Sequence, residues 1–371
     1  MTNIIIPRYD YPSQFGQSHR QVIGKISAAL LAGTYILSDE VRYCEEQLAE
    51  QFGHKAVIGL NSGTDALLLT LLALNIGPGD EVIVPANTFY ATAAAIVLAG
   101  ATPRLVDIDE RTFLTSDSLV LNAIGPRTKA VIIVHLYGKC VPLSALVPAL
   151  HERKIAVIED AAQAHGSLGI DGFGPGRFSD AVCYSFHPSK NLAAAGDAGA
   201  IGTDRDDIAE AVRILRGLGQ KAPNEHIRIG YNSKLDAVQA IVLSSKLPLL
   251  AEWNSKRLWI ANEYIKGMSD LPLRFQELGE NERHVYHLFQ VRTSQRNALL
   301  KFLRGNGIDA VIRYPTPIHL QQAFATLEYS KGDFPISEIL ANELLALPLF
   351  PSMTDRQIQY VISVVKKFFN K

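Results

Sequence analysis

Between residues 55 and 205 the chain alternates short apolar, β-branched runs with longer segments of helical pattern, and this alternation limits the fold more than any other feature. Residues 56–59, 81–84, 104–107, 130–135, 155–159 and 181–185 read as strands, with segments such as 64–75 and 143–152 as the helices between them. Strands joined through helices pair in parallel, and the crossover helices cover both faces of the sheet. The expected class is therefore α/β, with a mostly parallel central sheet.

Outside that stretch the pattern differs. The first fifty residues read as two helices, 21–32 and 40–52, packed outside the sheet. Beyond about residue 250 come a helix (253–268), a strand (286–292), a helix (297–305), the proline-containing connector RYPTPIHL and a last helix from Thr354. A chain of 371 residues suits two domains of about 100 to 200 residues each. We expect a large domain over 1–250 that includes the N-terminal helices, and a small α+β domain over 251–371. A net charge of −1 offers no basic face to nucleic acid or to a membrane surface. The longest apolar window, 91–101, is short of the roughly 20 residues that span a bilayer. The opening MTNIIIPRYD lacks the basic flank and apolar core of a secretory signal. Cys44, Cys140 and Cys183 form no CxxC pair, so neither a disulfide framework nor a zinc site is indicated. The expectation is a cytoplasmic protein with no nucleic-acid or membrane partner.

In an open α/β sheet ligands bind beyond the carboxyl ends of the strands, and four of those ends carry chemistry here. In GLNSGTDALLLTLLAL, the free N–H groups at a helix start, beside the Ser62 and Thr64 hydroxyls, suit an anion such as phosphate; the same residues also read as an ordinary N-cap. In VIVPANTFYATAAA, Phe89 or Tyr90 either covers a flat ring or packs the core. In KIAVIEDAAQAHG, a carboxylate leaving a central strand needs a cation or a protonated nitrogen, which singles out Asp160, with Gln163 one turn on. His165 has no HxxxH or HxH companion and reads as a packing histidine. In DAVCYSFHPSKNL, Lys190 follows a strand and a turn, near Ser185 and a run of small residues. A desolvated lysine beside other cationic groups has a lowered pKa and attacks carbonyls. A phosphate cradle, an aromatic cover, an acid and an amine are together what pyridoxal 5′-phosphate requires.

These residues lie in blocks that resemble the DegT/DnrJ/EryC1/StrS sugar aminotransferases, of the aspartate aminotransferase-like, fold type I class. The blocks are NSGTDALLL, GPGDEVIVPANTFYATAAAI, GATPRLVDID, VHLYG, IEDAAQAHG, SFHPSKNL, GDAGAI, GYNSKLDAVQA, YPTPIHLQ and LPLFPSMT, in order along nearly the whole chain. The resemblance implies that Lys190 forms the Schiff base, Asp160 pairs with the pyridine nitrogen and Gln163 lies near the phenolic oxygen. It implies that Gly63, Thr64 and Ser185 hold the phosphate and that Phe89 stacks on the ring. It implies that Asn232 reaches the phosphate of a neighbouring subunit, making a homodimer with shared active sites. It places His187, Lys234, Arg313, Tyr314 and His319 toward the substrate.

The implied reaction moves an amino group from an amino acid, L-glutamate by resemblance, to a ketosugar. GYNSKLDAVQA and YPTPIHLQ resemble the branch acting on nucleotide-linked 3-keto-(6-deoxy)hexoses, with Lys234 where that branch commonly has arginine and Arg313 where a histidine often precedes Tyr-Pro. Lysine lacks arginine's planar fork, so contacts to a pyrophosphate or carboxylate are rearranged. The alternatives are a 4-keto nucleotide sugar, a keto-nonulosonic or octulosonic acid, and a non-catalytic pyridoxal-binding regulator. A 3-dehydratase of this fold would carry histidine in place of Lys190. A nicotinamide enzyme would need GxGxxG, which GFGPGRF does not match.

Overall fold

The structure, a computed structural model, describes residues 5–370. Its centre is a seven-stranded sheet of β1 (Ala56–Leu60), β2 (Glu81–Pro85), β3 (Thr102–Val106), β4 (Thr128–Val134), β5 (Ala156–Asp160), β6 (Ala181–Ser185) and β7 (Gly199–Thr203), in the order β1-β7-β6-β5-β4-β2-β3. β2 to β6 pair in parallel. β7 runs antiparallel to both β1 and β6. β2, β4 and β7 are buried at nearly every position, and the helices Gly63–Ala73 and Tyr90–Leu98 are buried over most of their circumference, as layers packed on both sides require.

Six of the seven strands lie where the apolar runs place them; β7 does not announce itself. Its sequence, GAIGT, holds two glycines, which are depleted in strands. They answer to neighbours instead. A Cβ on Gly199 would lie 2.3 Å from the carbonyl of Ser62, and one on Gly202 would lie 2.4 Å from the His54 ring. The helix expected from residue 143 begins only at Leu146. Pro148 has no N–H and fits no deeper than the first turn.

A second core surrounds an antiparallel sheet of Arg274–Phe275, Phe289–Arg292 and Leu344–Leu347. The helices Leu250–Met268, Arg296–Gly305 and Asp355–Phe369 pack on it. The last of these opens on a capping box between Thr354 and Gln357. Its middle strand starts at Phe289 rather than 286, because Tyr286 takes a φ of 42°, outside any strand. The strand Leu344–Leu347 is a four-residue apolar run, too short for periodicity to assign. Near the other end of the chain, Ile6 bridges to Ile308 and joins this second core. No helix among the described residues is long and apolar enough to cross a membrane.

Candidate active site

The carboxyl ends of the parallel strands open onto a cavity of about 470 Å³. At one end, the helix Gly63–Ala73 starts with Ser62, whose Oγ accepts the N–H of Asp65 at 3.0 Å. The first N–H groups of a helix have no acceptor within it, so those of Gly63 and Thr64 remain for an anion at the positive end of the helix dipole. Ser185, the last residue of β6, closes this corner. Its approach depends on glycine, since a Cβ on Gly63 would lie 2.7 Å from the Ser185 Cβ.

Gly199 supports the same corner from below, against the Ser62 carbonyl. A Gly199→Ala substitution must push β7 and the Ser62 loop apart. We expect it to weaken cofactor binding at least about tenfold and to cost roughly 1–3 kcal/mol of stability, the usual range for overpacking. Cofactor titration and thermal melting read both effects. Gly24→Ala, in the middle of the helix His19–Ala32 with nothing within 4 Å of the added methyl, should leave cofactor binding unchanged and raise stability by about 0.5–1 kcal/mol.

Asp160 ends β5 and is 6 % exposed. Its Oδ2 accepts the Thr92 hydroxyl at 2.8 Å and its Oδ1 the Ala162 N–H at 3.1 Å. Among the described residues no lysine or arginine is in ion-pair contact with it, and burial raises its pKa despite those two bonds. A protonated ring nitrogen is the kind of partner such a carboxyl lacks. The pleat sends its neighbour to the other face. There Glu159 accepts from His135 Nε2 at 2.6 Å and from the Gly176 N–H at 2.7 Å, while His135 Nδ1 accepts the Val141 N–H at 3.0 Å.

Gln163 is held at both ends of its amide. Oε1 accepts the Tyr137 N–H at 2.8 Å and Nε2 donates to the Tyr314 hydroxyl at 2.9 Å. Tyr137 donates its own hydroxyl to the Arg313 carbonyl at 3.0 Å, and Gln290 donates to the same oxygen at 3.2 Å. The connector that carries Arg313 and Tyr314 is thereby tied to the wall of the cavity. Phe89 is 49 % exposed, with its ring 5.7 Å from that of Tyr314.

Lys190 sits half-buried in the cavity wall. Burial, against the attraction of Asp160 and with the help of the Arg313 charge, pulls its pKa from the ordinary 10.5 to about 8. The turn before it is pinned by the Lys190 N–H to the His187 carbonyl at 2.8 Å. A second lysine fixes the loop after it. Lys246, 2 % exposed, donates to the Ala193 carbonyl at 2.9 Å and to Gln14 Oε1 at 3.0 Å, with its ammonium 4.2 Å from the centre of the Phe15 ring. Gln14 in turn donates to the Pro188 carbonyl at 3.3 Å. Ala193 and Ala194 are buried against this arrangement. The bare alanine run is therefore packing around the lysine turn as much as clearance for a ligand.

The cavity thus brings together Gly63, Thr64, Phe89, Asp160, Gln163, Ser185 and Lys190, with His187, Arg313 and Tyr314 beside them. It does not gather the rest. Asn232 and Lys234 are hydrogen-bonded to each other and lie outside the cavity of their own chain. His319 is buried against Glu338 at 3.0 Å, also away from it. Sequence reasoning missed Tyr9 and Tyr11, which line the cavity from the N-terminal segment, and Thr92, which steadies Asp160. Thr92 had a signal in its spacing one turn after Thr88, to which it hydrogen-bonds at 2.9 Å. The tyrosines had none.

A helix start for a phosphate, a buried acid for a basic ring nitrogen, an aromatic cover and an amine of lowered pKa fit a phosphorylated pyridine aldehyde. The sequence matches the profile of the DegT/DnrJ/EryC1/StrS aminotransferase family over residues 17–366. A pleiotropic regulatory protein of Geobacillus stearothermophilus is 39 % identical over 368 residues, 98 % of either chain. A UDP-N-acetyl-3-dehydro-α-D-glucosamine 3-aminotransferase of Acidithiobacillus ferrooxidans is 39 % identical over 365 residues, again 98 % of either chain. The structure of DesV from S. venezuelae, determined in complex with a ketimine intermediate, matches with a TM-score of 0.96 at 37 % identity, over 99 % of each chain.

Proposed function

We propose, on the premise that this chain belongs to the DegT/DnrJ/EryC1/StrS aminotransferase family, that it transfers the amino group of L-glutamate to carbon 3 of a nucleotide-linked 3-keto hexose. Its cofactor is pyridoxal 5′-phosphate, which when bound stabilises negative charge on the carbon that exchanges its proton. The observation that carries the reading is the meeting of Lys190, Asp160 and the Gly63 helix start in one cavity. Lys190 Nζ would hold the cofactor's aldehyde carbon and, when free, would take the proton from the donor's α-carbon. Its pKa, lowered to about 8, leaves about a tenth of the amine unprotonated at pH 7, against less than about 0.1 % for an ordinary lysine. Asp160 would keep a proton on the ring nitrogen, Gln163 would lie toward the phenolic oxygen, and Gly63, Thr64 and Ser185 would hold the phosphate. Phe89 covers the ring and excludes water from one face. His187, Arg313 and Tyr314 receive the sugar nucleotide.

Carbon 3 is favoured by the Acidithiobacillus relative, whose name specifies a 3-dehydro sugar. The regulatory name of the Geobacillus relative describes that protein; a sensor would need no acid and amine aimed at one cofactor. We read the enzyme as a cytoplasmic homodimer of two-domain chains, divided near residue 250. Asn232, outside its own cavity, is free to serve the partner's phosphate. Ile229 at 93 % exposure and Leu31 at 88 % supply apolar surface to cover. Lys234 would lie with Asn232 at that junction.

The assay runs in reverse, with 2-oxoglutarate and a panel of UDP- and dTDP-linked aminosugars. Consumption of 3-amino sugars but not of 4-amino sugars is expected. Preference for a 4-amino sugar, or for an amino-nonulosonic acid, would replace the carbon-3 assignment.

A further inference from the structure

Lys246 carries its charge in the interior with no acid to meet it. It ends the helix Ala237–Lys246, and among the described residues no carboxylate is in ion-pair contact with it; burial pulls its pKa from the ordinary 10.5 to about 8. An ammonium has three N–H donors, and three acceptors stand within reach: the Ala193 carbonyl at 2.9 Å, Gln14 Oε1 at 3.0 Å and the face of the Phe15 ring at 4.2 Å. That leaves no direction for a ligand. A methionine would fill the same space without desolvating a charge, so packing alone does not call for a lysine.

What this ammonium reaches is the turn that carries Lys190. The Ala193 carbonyl lies three residues after Lys190. Gln14 passes the contact on to the other limb, because its Oε1 accepts from Lys246 while its Nε2 donates to the Pro188 carbonyl at 3.3 Å, two residues before Lys190. One charge therefore grips both limbs of the turn. Gln239, seven residues before Lys246 and so on the same face of the helix, accepts the Ala195 N–H at 2.8 Å and extends the grip along the loop. At the base of the turn the Ala194 N–H donates to the Phe186 carbonyl at 2.8 Å.

We propose that Lys246 is a positioning residue for Lys190: acting through Ala193 and Gln14, it holds the turn at the depth that keeps the Lys190 amine in the cavity wall and away from bulk water. The positive charge strengthens both bonds, since a hydrogen bond from an ion is roughly twice as strong as a neutral one. The titration of Lys190 then reports the turn. Burial is the main cause of its lowered pKa, and among the described residues the charges that bear on it are Asp160 and Arg313. A slackened turn admits water to the amine, and its pKa climbs back toward the ordinary value. The proposal rests on the reading of Lys190 as the reactive amine.

The test labels the cofactor-free protein with a small aldehyde and borohydride as a function of pH, and reads the extent on the peptide that contains Lys190. The wild type should give a midpoint near pH 8. Lys246→Met and Gln14→Leu should each raise it by at least about half a pH unit, which lowers labelling near pH 7 about threefold. Gln14→Leu changes no charge, so its effect cannot be the loss of a neighbouring cation. The double variant should go no further than the larger single one, because both act through one turn. In the holoenzyme both substitutions should lower kcat about tenfold or more while the KM for donor stays within about twofold, as misplacing a reacting group does. Tyr264→Phe, which takes a buried hydroxyl from the Pro348 carbonyl in the second core, should melt at a lower temperature yet keep the midpoint near pH 8. A midpoint unchanged in both variants would overturn the proposal. So would a shift confined to Lys246→Met, or one that Tyr264→Phe reproduces. Labelling needs neither cofactor nor ketosugar, so a wrong substrate would leave its result standing, and the two readings fail separately.

Discussion

Replacing Lys190 with alanine is expected to lower turnover by about 10⁴-fold or more, the loss of a group proposed both to bind the cofactor covalently and to transfer the proton. The cofactor-loaded protein should also lose the visible absorption band that borohydride reduction removes from the wild type. No neighbour can substitute: Ser185 and His187 flank the lysine, but neither carries an amine. The amine's own titration gives a second readout. With a pKa of about 8, roughly half of Lys190 is unprotonated at pH 8, where an ordinary lysine is less than about 1 % unprotonated. Labelling of the cofactor-free protein by a small aldehyde should therefore rise with a midpoint near pH 8, and this phase should vanish in the variant. The sign of the linkage follows from the same shift. Between pH 8 and 10.5 the unfolded chain binds the proton that the folded chain has lost, so this group's contribution to stability rises with pH across that window. Below it the fold carries a desolvated ammonium, and Lys190→Met, which keeps the apolar stem, should melt no lower than the wild type at pH 7 when cofactor is absent. A variant retaining more than about a tenth of wild-type turnover would remove Lys190 from the centre of the mechanism.

Asp160→Asn should reduce kcat by about 10²- to 10³-fold, comparable to removing one preorganised electrostatic partner of a reacting group. An amide cannot keep a proton on a ring nitrogen. The cofactor-free fold should be as stable as the wild type or more so, because the substitution removes a carboxyl whose pKa burial has raised. The hydrogen bonds can persist. The asparagine oxygen still accepts the Ala162 N–H, and its NH₂ group can donate to the Thr92 hydroxyl, which then donates to Thr88. Kinetics paired with thermal melting separate the two effects. A parallel fall in both would mean that Asp160 serves the fold rather than the chemistry.

Much of this was legible along the chain. The apolar runs mark β1 to β6, and residues just after the strands of an α/β sheet are where chemistry collects, so Asp160 and Lys190 stood out from the residues, while Thr64 read equally as an N-cap residue and Phe89 was chosen over Tyr90 only through the family resemblance. Even the choice between Glu159 and Asp160 has a local cause, because the pleat must send one to each face of β5. β7 escaped because Gly199 and Gly202 satisfy the Ser62 loop and the His54 ring, not strand propensity. The alanines after Lys190 looked like open space and are partly packing, because the lysine that organises them, Lys246, lies on another helix.

The order of apolar and polar residues records which side of each segment meets apolar neighbours. It determined most of the central sheet and the edge at which Asp160, Ser185 and Lys190 come to line one cavity. It holds no record of which distant segment supplies a neighbour. Tyr9 in the wall of the cavity that holds Lys190, Gln14 joined to Lys246, and Arg257 buried with an unpaired Nε were therefore decided by tertiary packing alone.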